Sequence, residues 1–149
     1  MHKITPFLWF DDQAEEAAHF YVSLFKNSKV GQVSRGPKGV MTIAFEVDGQ
    51  PFIALNGGPT YKFTEAVSFS VCCEDQAEVD ALWDKLCEDG QPGRCAWLKD
   101  KFGVSWQIVP KALPELLADP DREKSQRVMQ AMLQMSKIDV AKLREAHAG

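Results

Sequence analysis

The sequence predicts an α+β fold made of two βαβββ modules, the second of them abbreviated, followed by a helical tail. Three observations predict it: a four-residue motif that occurs twice, strand-like apolar runs around each copy, and a helical pattern that begins near Lys111. A chain of 149 residues is long enough for about one domain with a core of its own. We therefore expect a domain over residues 1–112, divided into modules 1–58 and 62–112, and a helical extension over residues 113–149.

The repeated motif is Asp12-Gln13-Ala14-Glu15, which returns as Asp75-Gln76-Ala77-Glu78. In each copy an aspartate stands three residues before a glutamate, the carboxylate form of a capping box, so each copy predicts the start of a helix. At the same offset the two helices share apolar positions and end at residue types that readily adopt a left-handed conformation, which indicates a duplication. The matching pairs are Ala18 with Ala81, Phe20 with Trp83, and Asn27 with Gly90.

Apolar runs predict the strands of each module. In module one the last two strands are joined by Asp48-Gly49, a strong hairpin signal. In module two few residues remain before Pro110, so the first strand after the helix is reduced to Gln91-Pro92-Gly93. The predicted strands are 7–10, 30–34, 40–47 and 51–55 in module one, and 67–73, 94–99 and 104–109 in module two.

Composition and charge exclude several classes of partner. The formal net charge is −4 and the lysines and arginines form no stripe, so a nucleic-acid partner is not expected. No run of about 18 apolar residues occurs, and Pro6 interrupts the N-terminus before a signal-like segment develops. We expect a cytoplasmic protein with no membrane partner.

The four cysteines are expected to be reduced and mostly buried, because no Cys-x-x-Cys pair occurs. In the tail, Asp119 is expected to cap a helix whose first residue is Pro120, and Asp139 to begin a last short helix. Ile138 and Leu143 have the spacing of a hydrophobic staple. The apolar stripe of this tail predicts core or a subunit interface; its residues are Val128, Met129, Met132 and Met135.

Three segments resemble one family. They are Ile4-Thr5-Pro6-Phe7-Leu8-Trp9-Phe10, Leu55-Asn56-Gly57-Gly58-Pro59, and the unusual run from Trp97 to Pro110. Over residues 3–112 the chain resembles PhnB-like proteins, also labelled 3-demethylubiquinone-9 3-methyltransferase domains, of the glyoxalase/bleomycin-resistance/dioxygenase (vicinal oxygen chelate) superfamily. The resemblance implies that the two modules pair and that their curled sheets surround a cleft.

In metal-using members of the superfamily, four strand positions direct His, Glu or Gln at one ion. Carried over to this sequence, the positions fall at Thr5, Ser68, Gln107 and either Ile53 or Ala54. Only Gln107 is a plausible ligand, and a metal site needs about three convergent ligands. The expectation is therefore no metal and no cofactor.

The candidate ligand-binding residues each have a structural alternative. Gln107 could contact a ligand carbonyl or hydroxyl, or it could close a buried hydrogen-bond network. The hydroxyls of Thr5 and Ser68 could line a cavity or bond to nearby backbone. The amide of Asn56, before the two glycines, could form part of a ligand site or belong to a linker. The indoles of Trp9 and Trp106 could face a ligand or the core. The candidates are Gln107, Ser68, Thr5, Asn56, Trp9 and Trp106.

The resemblance and these residues favour a metal-independent protein that binds a small molecule. An isomerase or lyase of the superfamily and a dimeric interaction module are the alternatives. Methyl transfer from S-adenosylmethionine is not expected, because the chain has no G-x-G-x-x-G segment. A homodimer is expected from the superfamily and from the methionine-bearing tail.

Overall fold

The computed structural model describes residues 2–149, and the chain divides into two compact units between Phe63 and Thr64. Each unit contains one four-stranded mixed sheet, and each sheet has its own helix between its first two strands in chain order. The α+β class that the sequence predicts is confirmed.

The first unit has the predicted βαβββ order. Its first strand pairs in parallel with its last, and the remaining pairs are antiparallel, so the strand order across the sheet is β1-β4-β3-β2. Its elements are β1 (Phe7–Phe10), α1 (Ala14–Leu24), β2 (Lys29–Gly36), β3 (Gly39–Val47) and β4 (Gln50–Asn56).

The hairpin between β3 and β4 forms at Asp48 and Gly49, as the sequence predicts. Both residues have positive φ, 48° and 79°, as a two-residue turn between antiparallel strands requires. The backbone N–H groups of the turn are bonded to the segment after α1: Asp48 N donates to Ser28 Oγ at 3.0 Å and Gly49 N donates to the Asn27 carbonyl at 3.0 Å. The turn thereby joins the hairpin to the end of the helix.

The second unit repeats this topology with shorter strands. Its sheet order is β5-β8-β7-β6, again with the first strand parallel to the last. The strand β6 has two residues, which confirms that the second module is abbreviated. The elements are β5 (Ser68–Cys73), α2 (Gln76–Cys87), β6 (Gln91–Pro92), β7 (Trp97–Lys99) and β8 (Ser105–Pro110).

The two helices correspond in a register different from the one the repeated motif suggests. The residues that α1 buries are Ala14, Ala17, Ala18 and Tyr21, and those that α2 buries are Val79, Leu82, Trp83 and Leu86. The spacing within the two sets is identical, so Ala18 corresponds to Trp83, whereas Ala81 is exposed. The matches of Ala18 with Ala81 and of Phe20 with Trp83 are wrong, because side-chain burial against the sheet sets the helix rotation.

One of the two predicted caps is also wrong. Asp75 caps α2, its carboxylate accepting from Glu78 N at 3.0 Å. The cap position of α1 is Gln13, whose side chain makes no capping bond, and Asp12 plays no such part. At the helix ends, Asn27 has φ 54° as expected, but the left-handed residue after α2 is Asp89, with φ 59°, instead of Gly90.

Gly90 is instead required because the chain at the end of α2 closely approaches the backbone of β7. A Cβ at this position would lie 2.3 Å from the carbonyl oxygen of Lys99 and 2.9 Å from that of Leu86. Any larger residue would therefore push the end of α2 away from β7.

The helical tail packs within the second unit. Its core cluster contains Leu113, Val128, Ile138 and Leu143, which meet Ala96 from the sheet region, and Met132 and Met135 pack against it. Asp139 caps the last helix by accepting from Lys142 N, as predicted, and both staple residues are fully buried. The helices are α3 (Ala112–Leu117), α4 (Arg122–Leu133) and α5 (Val140–Ala148).

The start of α4 differs from the prediction. Asp121 is its cap residue, accepting from the backbone N–H groups of Glu123 and Lys124. Asp119 accepts from Asp121 N at 2.8 Å and contacts His147 Nε2 at 2.7 Å. Both bonds lower the pKa of Asp119, that from Asp121 N more strongly.

Across residues 2–149, none of the helices combines the length and the apolar character needed to cross a membrane.

Candidate functional site

The candidate site is one face of the second sheet, which we call the polar face. Along β8, Trp106 and Ile108 are buried, while Gln107 between them is half-buried and points to the opposite side. Strand pairing arranges the polar face in two rows across β5, β8 and β7. The first row is Ser70, Gln107 and Trp97, and the second is Ser68, Ser105 and Lys99.

Two residues predicted as candidates, Ser68 and Gln107, meet on this face. Gln107 Nε2 donates to Ser68 Oγ at 3.0 Å, and both side chains are half-buried. Because the serine oxygen accepts this bond, its own O–H remains a donor, and the glutamine oxygen remains an acceptor. The pair can therefore both donate to and accept from a bound molecule.

Ser105 lies between Ser68 and Lys99 in the second row. It is 1% exposed, and its Oγ has no hydrogen-bond partner within residues 2–149. A buried hydroxyl without a partner is destabilising, and such groups in native structures call for an explanation. Ser105 is not among the residues predicted from the sequence, although its position two residues before Gln107 on the same strand places both on one face.

Lys99 closes the second row with a positive charge. Its Nζ forms an ion pair with the carboxylate of Glu65, which precedes β5. The hydrogen bond and the charge of Lys99 hold the pKa of Glu65 below its usual range. Trp97, directly across from Gln107, is half-buried and gives the first row an aromatic surface.

The corresponding face of the first sheet is apolar along β1 and β4, while β3 adds Thr42 and Glu46 to it. Phe7 pairs with Ile53 as Ser70 pairs with Gln107, so Ile53, and not Ala54, occupies the position equivalent to Gln107. Ala54 is fully buried on the other side of the sheet. Thr5 is half-buried just before β1 and is the first-unit equivalent of Ser68.

These positions do not fit the metal site of the superfamily. Thr5, Ser68 and Ile53 offer two hydroxyls and a hydrocarbon, and only Gln107 offers an amide oxygen. Within residues 2–149, no group of three or more His, Cys, Asp or Glu side chains could hold a metal ion.

Asn56 is occupied by structural bonds. Its Oδ1 accepts from Ala14 N at 2.8 Å, at the first residue of α1, and its Nδ2 donates to the Val40 carbonyl at 3.0 Å. The backbone N–H groups of Gly57 and Gly58 donate to Phe10 and Asp11. These contacts favour the structural alternative for this segment.

The two candidate indoles are likewise held by their own units. Trp106 is 3% exposed and its Nε1 donates to Asp100 Oδ2 at 2.9 Å. Trp9 donates to the Gly58 carbonyl at 2.9 Å, and a Cβ on Gly57 would lie 2.4 Å from its ring. These contacts favour the structural alternative for both indoles.

Asp100 organises the turn between β7 and β8 from a buried position. Its Oδ1 accepts from the backbone N–H groups of Phe102 and Val104, and its Oδ2 from Trp106 Nε1. Three hydrogen bonds to one carboxylate, whose residue is 3% exposed, thus hold the turn in place.

The four cysteines are free thiols. Cys73 is buried, and this burial raises its pKa to about 12, which keeps the thiol protonated at neutral pH. Cys87 and Cys95 are half-buried and Cys72 is exposed, so the expectation of mostly buried thiols holds fully for Cys73 alone.

The strand order and the doubled βαβββ topology define a protein of the vicinal oxygen chelate fold. The profile of one family, described as 3-demethylubiquinone-9 3-methyltransferase, matches residues 2–109. The chain belongs to this family of PhnB-like proteins. A comparison with curated proteins gave no match.

Solved structures agree with this assignment. A PhnB protein from Bacillus cereus, described as a 3-demethylubiquinone-9 3-methyltransferase, is 36% identical, with a TM-score of 0.69 over 73% of this chain and 99% of its own. Protein PA1353 from Pseudomonas aeruginosa is 20% identical, with a TM-score of 0.62 over 74% and 98% of the two chains. An Arabidopsis thaliana gene product is 18% identical, with a TM-score of 0.53 over 73% and 98%. The last two show the fold alone.

Proposed function

We propose that this chain binds a small organic molecule without a metal ion, on the polar face of its second sheet. The observation that carries the proposal is the hydrogen-bonded pair of Ser68 and Gln107. In this pair the serine O–H can still donate a hydrogen bond and the glutamine oxygen can still accept one. The indole of Trp97 beside Gln107 favours a ligand with a flat, partly apolar part.

The residues at the superfamily's metal positions support the metal-independent part of the proposal. Hydroxyl, amide and hydrocarbon groups recognise a carbonyl or a hydroxyl by hydrogen bonding and contact, but they bind a divalent ion poorly. The family description names methyl transfer, and the chain has no G-x-G-x-x-G turn to support that activity.

A thermal-shift screen of tag-free protein against aromatic carbonyl compounds tests the proposal. A ligand that binds only the folded chain raises the melting temperature according to RT ln(1 + [L]/Kd). We expect hits whose shift falls by more than half in Gln107→Ala. The control variant Gln130→Ala, at an exposed position on α4, should respond like the wild type.

Elemental analysis of the same preparation distinguishes a metal-dependent enzyme from the proposed metal-independent binding protein. Stoichiometric metal that disappears in Gln107→Ala would favour a metal-dependent enzyme and contradict the proposal. A broad library without any stabilising compound would contradict ligand binding itself and favour an interaction module.

A further inference from the structure

The second row of the polar face is rich in hydrogen-bond donors. Ser68 keeps its O–H because its oxygen already accepts from Gln107 Nε2 at 3.0 Å. Ser105 has a buried Oγ without a partner among the described residues. Lys99, which pairs with Ser105 across β7 and β8, adds an ammonium group to the same face. Two hydroxyls and one cation of this row therefore lie on the same side of the sheet, with the Ser105 hydroxyl buried.

This set of groups is best matched by a carboxylate. An ionised carboxylate is an acceptor only, with room for about four hydrogen bonds on two oxygens, and its bonds to cations are stronger than those of a neutral carbonyl. A dianion such as phosphate is a poorer match, because the row contains a single cation and the whole chain has a net charge of −4.

In the free protein, Lys99 already forms an ion pair with a carboxylate of the same chain. Glu65 pairs with Lys99 although it belongs to the segment before β5 and its side chain is 60% exposed. A tethered, exposed ion pair of this kind contributes little to stability and is readily exchanged. Glu65 reaches Lys99 but leaves the Ser105 hydroxyl unbonded.

We propose that the ligand of the polar face carries a carboxylate that bonds to Ser105 and Lys99, and that Glu65 occupies its place on Lys99 in the free protein. This inference rests on the proposed function and adds the chemical class of the ligand. It makes Ser105 and Lys99 specificity residues and Glu65 an internal competitor.

Benzoate and its neutral counterpart benzamide are suitable probes, because both are flat and nearly equal in size while only benzoate is charged at neutral pH. We expect calorimetry at low ionic strength to show benzoate binding about tenfold tighter than benzamide, the usual scale of a charge-assisted bond. Ser105→Ala and Lys99→Met should each remove most of that preference. Glu65→Gln should strengthen benzoate binding severalfold because the competing carboxylate is gone.

A second lysine–glutamate pair of the same unit supplies matched controls. Lys111 Nζ lies 2.8 Å from Glu74 Oε2, outside the two rows, and this pair is also exposed. Lys111→Met and Glu74→Gln change the net charge as the test variants do, and they should leave benzoate affinity unchanged. If the control variants alter benzoate binding as strongly as the test variants, the effect is long-range and the inference is overturned.

Three further outcomes overturn the inference and separate its failure from that of the proposed function. Equal or tighter binding of benzamide, or tighter binding of inorganic phosphate, would reject the carboxylate. Binding of neutral aromatic compounds that depends on Gln107, with no benzoate binding, would reject the carboxylate and leave the proposed function standing. Failure of all probes and of the broad screen would reject both.

Discussion

At the scale of single residues, Ser105 combines burial with a missing hydrogen bond among the described residues. Its Oγ is buried at 1% residue exposure without a partner within residues 2–149, so the hydroxyl opposes folding. Asp100, only five positions earlier, shows the opposite arrangement, since its buried carboxylate accepts three hydrogen bonds. The fold thus satisfies its structural carboxylate and leaves the serine unsatisfied, which is the basis of the proposed contact with a ligand.

A substitution at Ser105 measures this difference. We expect Ser105→Ala to be at least as stable as the wild type, with a free energy of unfolding higher by up to about 1–2 kcal/mol, because an unbonded buried hydroxyl is removed. Urea denaturation followed by tryptophan fluorescence gives the value. Ser70→Ala, at an exposed position of the same face, should change stability by less than about 0.5 kcal/mol. A loss of more than about 1 kcal/mol in Ser105→Ala would mean that the hydroxyl has a structural partner.

At the scale of elements, the start of α1 is held by a residue distant in sequence. Asn56, the last residue of β4, accepts from Ala14 N and donates to the Val40 carbonyl of β3. One side chain therefore joins two strands to the first turn of the helix. The local motif around Asp12 predicted a helix start close to the observed one, but not the group that caps it.

Two alanine variants distinguish these capping schemes. Asn56→Ala should lower the free energy of unfolding by about 1–2 kcal/mol, because it leaves a helix N–H and a strand carbonyl without their partner. Asp12→Ala should change it by less than about 0.5 kcal/mol, since Asp12 is exposed and makes no capping bond. Chemical denaturation of both variants checks this, and a larger loss in Asp12→Ala than in Asn56→Ala would contradict the assignment.

At the scale of the whole molecule, the two units share their strand topology more closely than their sequence. Both sheets follow the same order with the first strand parallel to the last, while their equivalent faces differ in chemistry. Gln107 and Ser70 in the second unit correspond to Ile53 and Phe7 in the first. A duplicated scaffold of this kind allows the strand pair β5–β8 to carry polar groups while the equivalent pair β1–β4 stays apolar.

The homodimer that the sequence predicts is also a property of the whole molecule. Light scattering at micromolar concentration should give twice the chain mass of 16.7 kDa. The exposed apolar side chains Met129 and Leu133 on α4, 40% and 42% exposed, are consistent with a contact surface on the tail. A mass equal to one chain at this concentration would contradict the dimer.

Some features follow from the sequence because their physical cause is local. The strand Phe7–Phe10, the Asp48-Gly49 turn and the cap at Asp75 each depend on side chains within a few residues, so pattern and turn chemistry predict them. The alternation of Trp106 and Gln107 across β8 has the same origin, and it places the glutamine on the face opposite the buried core.

Only the tertiary structure decided the features that depend on strand pairing and helix rotation. The equivalence of Ile53 with Gln107, the matching of Ala18 with Trp83, and the cap from Asn56 join residues far apart in sequence. The burial of Ser105 beside Lys99 has the same cause, because neighbours across a sheet are set by register between strands. Local sequence carries that register weakly, and the packing of each sheet against its helix determines it.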